Sequence, residues 1–538
     1  MPAARHSTLS FSVLLLLAAS GAASAAPPVK FTTIAYTTQP APGIPDVTFA
    51  QVADPRLNDA GEPAFWTRLA GTGITTSNDT ALWVARAPVA QLVAREGDTA
   101  PETGGTYFGL PTVMNSRDGR IAFAASILEG DPKKPVNVAT YTETTPGLLD
   151  LREREAINTA TIPGAFQFNG INQVAYQLAS RLAFGGAYYT IGDPAPGFSG
   201  SAFRSFGQPS IAEHGEVAFH AQVGASATNY ATWTQAIYAA RSGGLAPIVK
   251  LGDAAPGADA GAVFTDLGRT PIAGPSGEIL FWAAAGAKHG LWRSDASGVL
   301  TPVVISGSAA PNLSGVTLKT IGREPSISSL GTVACSAVLE GAGVDSGNNT
   351  VILVQRTGQP LKIALREGDI APGKPVNVLV SSLGAPALSS ADQLAFTVTL
   401  KGAGVTAATS VGLVASAPGG SLVTILQTGD ALSIDGVGNR TVRHIAFAPG
   451  APDSGATSMS GPAKLAFKVT FTDWSEGLFT ADIGCRADFD GSGFVDINDQ
   501  QAFIAAFEAG EISADFDGSG FVDLDDHAAF IAAFEAGC

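Results

Sequence analysis

The sequence predicts an all-β protein, a β-propeller of about seven or eight four-stranded blades. Two signatures alternate between Thr38 and Gly477, one a glycine-containing turn and the other an apolar strand. The composition agrees, because 63 glycines, 33 prolines and only 14% charged residues suit short strands joined by many turns. A β-solenoid or an open array of repeats is the alternative architecture.

The first signature is a Gly-Asp-x-Ala-Pro turn. We expect its aspartate to stabilise the turn by accepting hydrogen bonds from backbone N–H groups two residues further on. Its recurrence in phase with the repeat argues against a catalytic carboxylate. Complete copies begin at Gly97, Gly192, Gly252 and Gly368, and degraded copies begin at Gln39, Gly307 and Gly429.

The second signature is an apolar strand that often follows a glycine turn, and it recurs in eight copies. The third unit, around 157–191, is short and eroded. The sixth unit is the clearest, and turn residues divide it into four strands. These strands are predicted at Val316–Gly322, Thr332–Leu339, Thr350–Gln355 and Pro360–Arg366.

The last unit ends at 477–480 and lacks its fourth strand. A spare strand, Lys30–Tyr36, precedes the first turn in the phase that strand four has elsewhere. We therefore expect Lys30–Tyr36 to complete the last blade, which would close the ring without a free sheet edge.

The first 25 residues have the pattern of a secretory signal peptide. Arg5 supplies the positive charge, Phe11–Ala19 the apolar core, and Ala23–Ala25 the small residues before cleavage. The mature chain is expected to start at Ala26 and to be secreted, extracellular or held at the cell surface. No later apolar run reaches membrane-spanning length.

The charge is unevenly distributed. The net charge is −16, and residues from Cys485 onward hold twelve acidic residues and one basic residue, which gives −11. The remaining −5 belongs to the rest of the chain, so nothing basic favours nucleic acid or an anionic membrane.

The acidic tail contains two copies of one loop, with oxygen-bearing residues at positions 1, 3, 5, 7, 9 and 12. This is the spacing that a calcium ion requires, and Gly493 and Gly520 occupy the sharp turn at position 6. Two Ca²⁺ sites are therefore predicted. The ligands of the first are Asp488, Asp490, Ser492, the Phe494 carbonyl, Asp496 and Asp499, and those of the second are Asp515, Asp517, Ser519, the Phe521 carbonyl, Asp523 and Asp526.

Each loop precedes a helix whose phenylalanines lie four residues apart, Phe503 with Phe507 and Phe530 with Phe534, so the two helices should pack together. This duplicated loop–helix tail resembles a dockerin, a calcium module that has Asp at loop position 12, where a typical EF-hand has Glu. The resemblance implies calcium-dependent docking onto a cohesin-like or envelope partner. We predict a signal peptide at 1–25, a propeller at 26–483 and a dockerin-like domain at 484–538.

Two cysteines, Cys485 and Cys538, flank this tail. The terminal Gly-Cys resembles a dockerin subtype in which cysteines bracket the module, and a disulfide between them would staple it. The body resembles bacterial tandem-repeat surface proteins with interchangeable C-terminal anchors, through Asn58-Asp-Ala-Gly-Glu-Pro-Ala-Phe65. That resemblance implies an exported protein with no known activity.

Catalysis is not predicted, and a binding or structural role is favoured. The alternative is a polysaccharide-active enzyme, a glycoside hydrolase or lyase, that uses two carboxylates far apart in sequence. Trp233 and Trp474 lie near predicted loops and are candidates for stacking a carbohydrate ligand, whereas blade packing is expected for most tryptophans. Cys335 and the histidines are expected to be structural. The non-repeating acids near loops are Glu129, Asp131, Glu213 and Asp295.

Overall fold

A computed structural model provides the fold of the chain, which divides into two compact units. One unit spans 27–485 and the other includes 486–538. The predicted signal peptide lies outside the described residues. The structure describes 29–538 except 59, 87–88, 116–118, 130–136, 157–164, 169–173, 178–180, 185–186, 213, 242, 418–420, 449–458, 461–463, 484–486, 488, 491–494, 512–513, 515, 517–521 and 537–538.

The described part of the larger unit consists of eight antiparallel sheets. In each described sheet, four principal strands lie side by side, and six of the eight sheets contain one or two short additional strands. Each sheet contacts the next sheet in chain order, and the last sheet contacts the first. This ring is a β-propeller, and the predicted all-β propeller is confirmed. The solenoid alternative is wrong, because a solenoid leaves its two ends apart.

The strands are numbered in chain order and grouped by blade. They are β1 (Val29–Tyr36), which belongs to blade eight; β2 (Val47–Val52), β3 (Arg56–Leu57), β4 (Pro63–Gly71), β5 (Thr80–Arg86) and β6 (Val89–Arg95) in blade one; β7 (Thr106–Asn115), β8 (Ile121–Leu128), β9 (Asn137–Thr145) and β10 (Leu148–Ala156) in blade two; β11 (Ala165–Phe168), β12 (Val174–Gln177), β13 (Arg181–Phe184) and β14 (Ala187–Thr190) in blade three; and β15 (Ala202–Phe206), β16 (Ser210–Ile211), β17 (Val217–Gly224), β18 (Thr234–Arg241) and β19 (Gly244–Lys250) in blade four.

The second half of the ring has the same organisation. Its strands are β20 (Phe264–Leu267), β21 (Ile272–Ala273), β22 (Ile279–Ala285), β23 (Lys288–Ser294) and β24 (Leu300–Ile305) in blade five; β25 (Val316–Ile321), β26 (Ser326–Ile327), β27 (Val333–Gly341), β28 (Thr350–Gln355) and β29 (Lys362–Arg366) in blade six; β30 (Val378–Leu383), β31 (Ala387–Leu388), β32 (Leu394–Gly402), β33 (Val411–Ser416) and β34 (Leu422–Gln427) in blade seven; and β35 (Ala431–Ile434), β36 (Gly438–Ala446), β37 (Met459–Ser460), β38 (Lys464–Phe471) and β39 (Glu476–Ile483) in blade eight.

The N-terminal strand closes the ring as predicted. Strand β1 pairs antiparallel with β39, with Lys30 opposite Asp482 and Tyr36 opposite Gly477. The last blade therefore receives its outermost strand from the start of the chain. The outer edge of β39 is covered, and an exposed edge is a site for pairing with other chains.

Aromatic side chains on the third strands of several blades hold the repeated turns in place. The hydroxyl of Tyr141 donates to the Pro101 carbonyl at 3.1 Å, and that of Tyr238 donates to the Pro196 carbonyl at 3.0 Å. In blade five, the indole N–H of Trp292 donates in the same way to the Pro256 carbonyl at 2.9 Å. These contacts explain why a buried aromatic residue and a proline turn recur together.

The smaller unit contains two helices, α1 (Ile497–Ala509) and α2 (Leu524–Ala536). Helix α1 ends at Gly510, whose positive φ of 67° suits the left-handed position after a helix. Neither described helix has the length and apolar character that crossing a bilayer requires.

Candidate functional site

The smaller unit has an apolar core made of the phenylalanines of its two helices. The rings of Phe503 and Phe530 are stacked, with centroids 4.1 Å apart and ring planes 1° from parallel. Both side chains are fully buried. Phe507 and Phe534 lie four residues later and contact the stacked pair. The predicted packing of the two phenylalanine faces is confirmed.

Asp499, at position 12 of the first predicted loop, connects the loop backbone to helix α1. Its Oδ1 accepts the N–H of Asp490 at 3.0 Å, and its Oδ2 accepts the N–H of Asp496 at 2.8 Å. The Asp496 side chain caps the helix by accepting the N–H of Asn498 at 2.7 Å. Positions 3, 9 and 12 are therefore held together where α1 begins.

The second loop repeats this geometry at its described positions. Asp526 accepts the N–H of Asp523 at 2.8 Å, and the Asp523 side chain accepts the N–H of Asp525 at 2.9 Å. Asp523 and Asp526 occupy positions 9 and 12, as Asp496 and Asp499 do in the first loop. The two loops thus share one arrangement at the start of their helices.

The donor chemistry at these positions fits a calcium ion. Asp499 and Asp526 are both fully buried, and a buried carboxylate is costly unless it is paired, hydrogen-bonded or bound to a metal. A carboxylate has room for about four partners, so the two backbone N–H groups on Asp499 leave lone pairs for a cation. Oxygen ligands are those that Ca²⁺ prefers.

The other predicted ligands and both flanking cysteines lie outside the described residues. The described residues hold no group of three or more His, Cys, Asp or Glu in a metal-binding arrangement. Asp490, Asp496 and Asp499 are brought together by hydrogen bonds, as are Asp523 and Asp526. The predicted residues outside the described part are Asp488, Ser492, Phe494, Asp515, Asp517, Ser519, Phe521, Cys485 and Cys538.

The aspartates of the repeated turns are structural, but their bonding direction differs from the prediction. Four of them accept a backbone N–H from the residue three positions earlier, not two positions later, so the carboxylate closes the end of the preceding strand. The donor–acceptor pairs are Thr190 with Asp193 at 2.7 Å, Lys250 with Asp253 at 2.8 Å, Arg366 with Asp369 at 2.9 Å and Gln427 with Asp430 at 2.7 Å.

Two of the four non-repeating acids are described, and both have structural partners. Glu129 forms an ion pair with Arg154. Asp295 accepts the N–H groups of Ser297 and Val299 at 2.9 and 2.8 Å, and its hydrogen bonds, led by the Ser297 hydroxyl, lower its pKa. Asp131 and Glu213 lie outside the described residues.

Cys335 and several histidines belong to the packing of the propeller. Cys335 is buried in an apolar cluster, and burial raises the pKa of its thiol to about 12. Burial lowers the pKa of His220 to about 4. His289 accepts the backbone N–H of Ile321, in the next blade, at 3.2 Å. The expectation that these groups are structural is confirmed.

The tryptophans divide into a buried set and an exposed residue. Trp83 and Trp292 are fully buried, Trp282 is buried, and Trp66 and Trp233 are half-buried. Trp474 is 68% exposed and stacks against Arg443, whose guanidinium carbon is 3.8 Å from the ring centroid.

Sequence reasoning missed the arginines beside these hairpins: Arg443 stacks on Trp474, and Arg204 donates hydrogen bonds to the backbone of the hairpin that carries Trp233. Arg204 and Arg443 lie on first strands, whereas Trp233 and Trp474 lie on the hairpins between the second and third strands. Each arginine reaches its hairpin only when the first and second strands of the blade have paired. The available signal was that the two tryptophans depart from the repeat, for example from Ser410 in blade seven.

A family model covers most of this chain. The model describes a family of unknown function, DUF7453, and it matches 19–185, 184–309 and 231–483. The chain belongs to this family. The family model places no activity on the propeller, and no curated protein matches the chain.

Solved structures resemble the chain only weakly. The β-propeller domain of the Trilobed protease from Pyrococcus furiosus is 10% identical, with a TM-score of 0.33, and the match covers 68% of this chain and 95% of that one. Prolyl oligopeptidase B from Galerina marginata is 10% identical, with a TM-score of 0.35, covering 76% and 52% of the two chains. A puromycin hydrolase is 11% identical, with a TM-score of 0.32, covering 78% and 58%. Similarities of this size carry no argument about function.

Proposed function

We propose that the chain is an exported, non-catalytic binding or structural protein whose C-terminal module binds two calcium ions. The module then attaches the protein to a cohesin-like partner or to the cell envelope. The burial of Asp499 and Asp526, each bonded to its own loop backbone at the same loop position, is the observation that supports this proposal.

Calcium would supply an ionic cross-link between the two halves of each loop. Asp490, Asp496 and Asp499 would hold it in the first loop, and Asp523 and Asp526 in the second, together with the remaining predicted ligands. Asp496 also caps α1. The same residues would therefore bind the ion and begin the helix, which couples calcium binding to folding of the module.

The polysaccharide-active enzyme gains no specific support from the described acids. Glu129 is engaged by Arg154, and Asp295 is engaged by the turn that it closes. A retaining or inverting hydrolase needs two carboxylates free to face one substrate. The binding role is therefore the stronger proposal.

The calcium sites can be tested by isothermal titration of the calcium-depleted full-length protein. We expect two sites in the wild type and loss of binding in a variant that combines Asp499→Asn with Asp526→Asn. Asp525→Asn is the matched control, because it removes one charge from the same helix turn at position 11, where the first loop already has Asn498. Absence of calcium binding in the folded wild type would contradict the proposal.

Calcium should also stabilise the module. A ligand that binds only the folded state contributes about 2.7 kcal/mol when its concentration is a hundred times its Kd. Chelation should therefore lower the melting temperature of the helices, measured by helical circular dichroism, without changing the melting temperature of the propeller.

A further inference from the structure

One hairpin of the propeller carries aromatic side chains that its backbone does not require. The hairpin between β17 and β18 contains a short 3₁₀ turn, Tyr230–Thr232, followed by Trp233. The corresponding hairpin of blade seven contains the same turn, Ala407–Thr409, followed by Ser410. Because alanine and serine serve the same turn, the aromatic residues of blade four need another explanation.

The aromatic pair consists of an exposed tyrosine on a half-buried, hydrogen-bonded tryptophan. Tyr230 is 71% exposed, and its ring centroid is 4.6 Å from that of Trp233. The Trp233 indole N–H donates to the Ser226 carbonyl at 2.8 Å. A Cβ at Gly224 would approach the Trp233 ring to 2.5 Å, so this glycine makes the room that the ring occupies. Tyr230 therefore presents a flat face on a fixed support.

Arg204 fixes the same hairpin from the innermost strand. Its Nε donates to the Gly224 carbonyl at 2.9 Å, and its Nη2 donates to the Ala225 carbonyl at 3.0 Å. Arg204 is the bulged residue of β15, and the bulged residue at the same place in blade seven is Ser381. Blades six and eight have Lys319 and Arg443 at this position, so a basic residue on the first-strand bulge is shared by three blades.

An open cleft lies against this hairpin. Its volume is about 830 Å³, and it is lined by the turn at 192–202 together with Arg204 and Ala225. Phe198 contributes an apolar wall, and Arg204 is the single charged side chain among the lining residues. The cleft therefore combines apolar surface, backbone polar groups and one positive charge, as small-ligand sites commonly do.

We propose that the hairpin between β17 and β18, together with the cleft that its Ala225 lines, binds a saccharide, with a pyranose ring stacked on the exposed Tyr230 of the hairpin and a hydroxyl or carboxylate oxygen near Arg204 in the cleft. The face of an aromatic ring carries negative charge density and attracts the polarised C–H groups on the face of a sugar ring. An arginine donates hydrogen bonds and accepts none, so it suits oxygen acceptors. A nucleic acid is disfavoured because the chain outside the acidic tail carries a net charge of −5, the −16 of the whole chain less the −11 of the tail.

Blade eight also has an arginine and an aromatic residue at these positions, and there the arginine stacks directly on the aromatic ring. Arg443 is the bulged residue of β36, and Trp474 lies on the hairpin between β38 and β39, so both occupy the positions of their blade-four counterparts. Trp474 is exposed and has a φ of 70°, which is a strained conformation for a bulky residue. Strain of this kind persists at functional sites more often than elsewhere. Both hairpins join second to third strands, which places them on one face of the propeller.

This site rests on the proposed binding role of the propeller, but it does not depend on calcium. The test is affinity electrophoresis of the full-length protein in gels that contain a neutral or a uronic-acid polysaccharide. We expect retardation by at least one polymer and about a tenfold weaker affinity for Tyr230→Ala, which corresponds to about 1.4 kcal/mol. Arg204→Ser should weaken binding of the acidic polymer more than that of the neutral one.

The variants copy residues already present in blade seven, so they should fold. Leu330→Ala is the matched control, because Leu330 is 61% exposed on a turn between first and second strands, on the opposite face. No retardation by any polysaccharide, or equal retardation of wild type and Tyr230→Ala, would overturn the proposal. Binding of a peptide or nucleic acid at this cleft would overturn it as well. None of these results would affect the calcium proposal.

Discussion

One histidine, His289, accepts a hydrogen bond across a seam between blades, and a second, His220, contacts Gln235, which does so at another seam. His289 accepts the N–H of Ile321 in the next blade, and Gln235 does the same for Leu267 one blade earlier, at 3.0 Å. Because it receives a proton donor at Nε2, His289 must be neutral when this bond exists. Burial lowers the pKa of His289, and the nearby Arg323 lowers it further.

These seams should weaken in acid. The folded-state pKa values of His220 and His289 lie below the ordinary value, so the unfolded chain binds these protons more readily. The stability that the two histidines support is complete above about pH 6.5 and falls as the pH is lowered, for His220 down to a pH of about 4. His220, which Asp266 and Arg269 also influence, can account for up to about 3 kcal/mol.

His289→Gln should reduce this acid sensitivity, because glutamine keeps the acceptor, as Gln235 shows, but cannot take up a proton. The measurement is the midpoint of urea unfolding between pH 8 and pH 4.5. At pH 8, the variant and the wild type should be nearly equal. An unchanged pH dependence in the variant would show that His289 does not contribute.

Arginines at the ends of third strands bridge consecutive blades. Each donates to the carbonyl of the glycine that precedes the second strand of the next blade, so one blade orders the turn of its neighbour. The pairs are Arg86 with Gly119 at 2.7 Å, Arg241 with Gly277 at 2.9 Å and Arg293 with Gly331 at 2.8 Å.

Arg293→Ala should lower the free energy of unfolding by about 1–2 kcal/mol, because it removes a charge-assisted hydrogen bond between blades. Denaturant unfolding followed by tryptophan fluorescence provides the measurement. Arg356→Ala is the control, since Arg356 is exposed near the end of the third strand of blade six. Equal losses in both variants would mean that the bridge to Gly331 adds nothing.

Strand positions could be predicted more fully than side-chain contacts. In blade six, the predicted Thr350–Gln355 matches β28, and Val316–Gly322 exceeds β25 by one residue. The short strand β26 was missed, because the residues between Ile321 and Pro325 interrupt the apolar alternation. The contact of Arg204 with the hairpin at 224–225 depends on the pairing of β15 with β17, which local sequence patterns do not specify.

At the scale of the whole molecule, closure of the ring was predictable and the exact number of blades was not. The missing strand of the last unit and the spare strand at the N-terminus indicated the closure that β1 and β39 make. The third unit is eroded in sequence, yet it forms the four-stranded sheet β11–β14. A blade can therefore survive loss of its turn motif, because pairing within the sheet and packing against its neighbours remain.

Deletion of 27–36 should expose the edge of β39 and open the ring. We expect a lower melting temperature and self-association, measured by calorimetry and light scattering, because an unpaired edge strand recruits other chains. A synthetic peptide of residues 27–38 added in excess should reverse both effects, whereas a scrambled peptide should not. A deletion variant as stable and monomeric as the wild type would contradict closure by β1.

Calcium-dependent attachment is the central claim. The most direct test is capture of partners by the full-length protein from the envelope and secreted fractions of the source cells. The capture is run with calcium, with chelator, and with the variant that combines Asp499→Asn and Asp526→Asn, and the partners are identified by mass spectrometry. The account predicts a partner that is captured with calcium and lost in both other conditions. An identical set of captured proteins in all three conditions would contradict it.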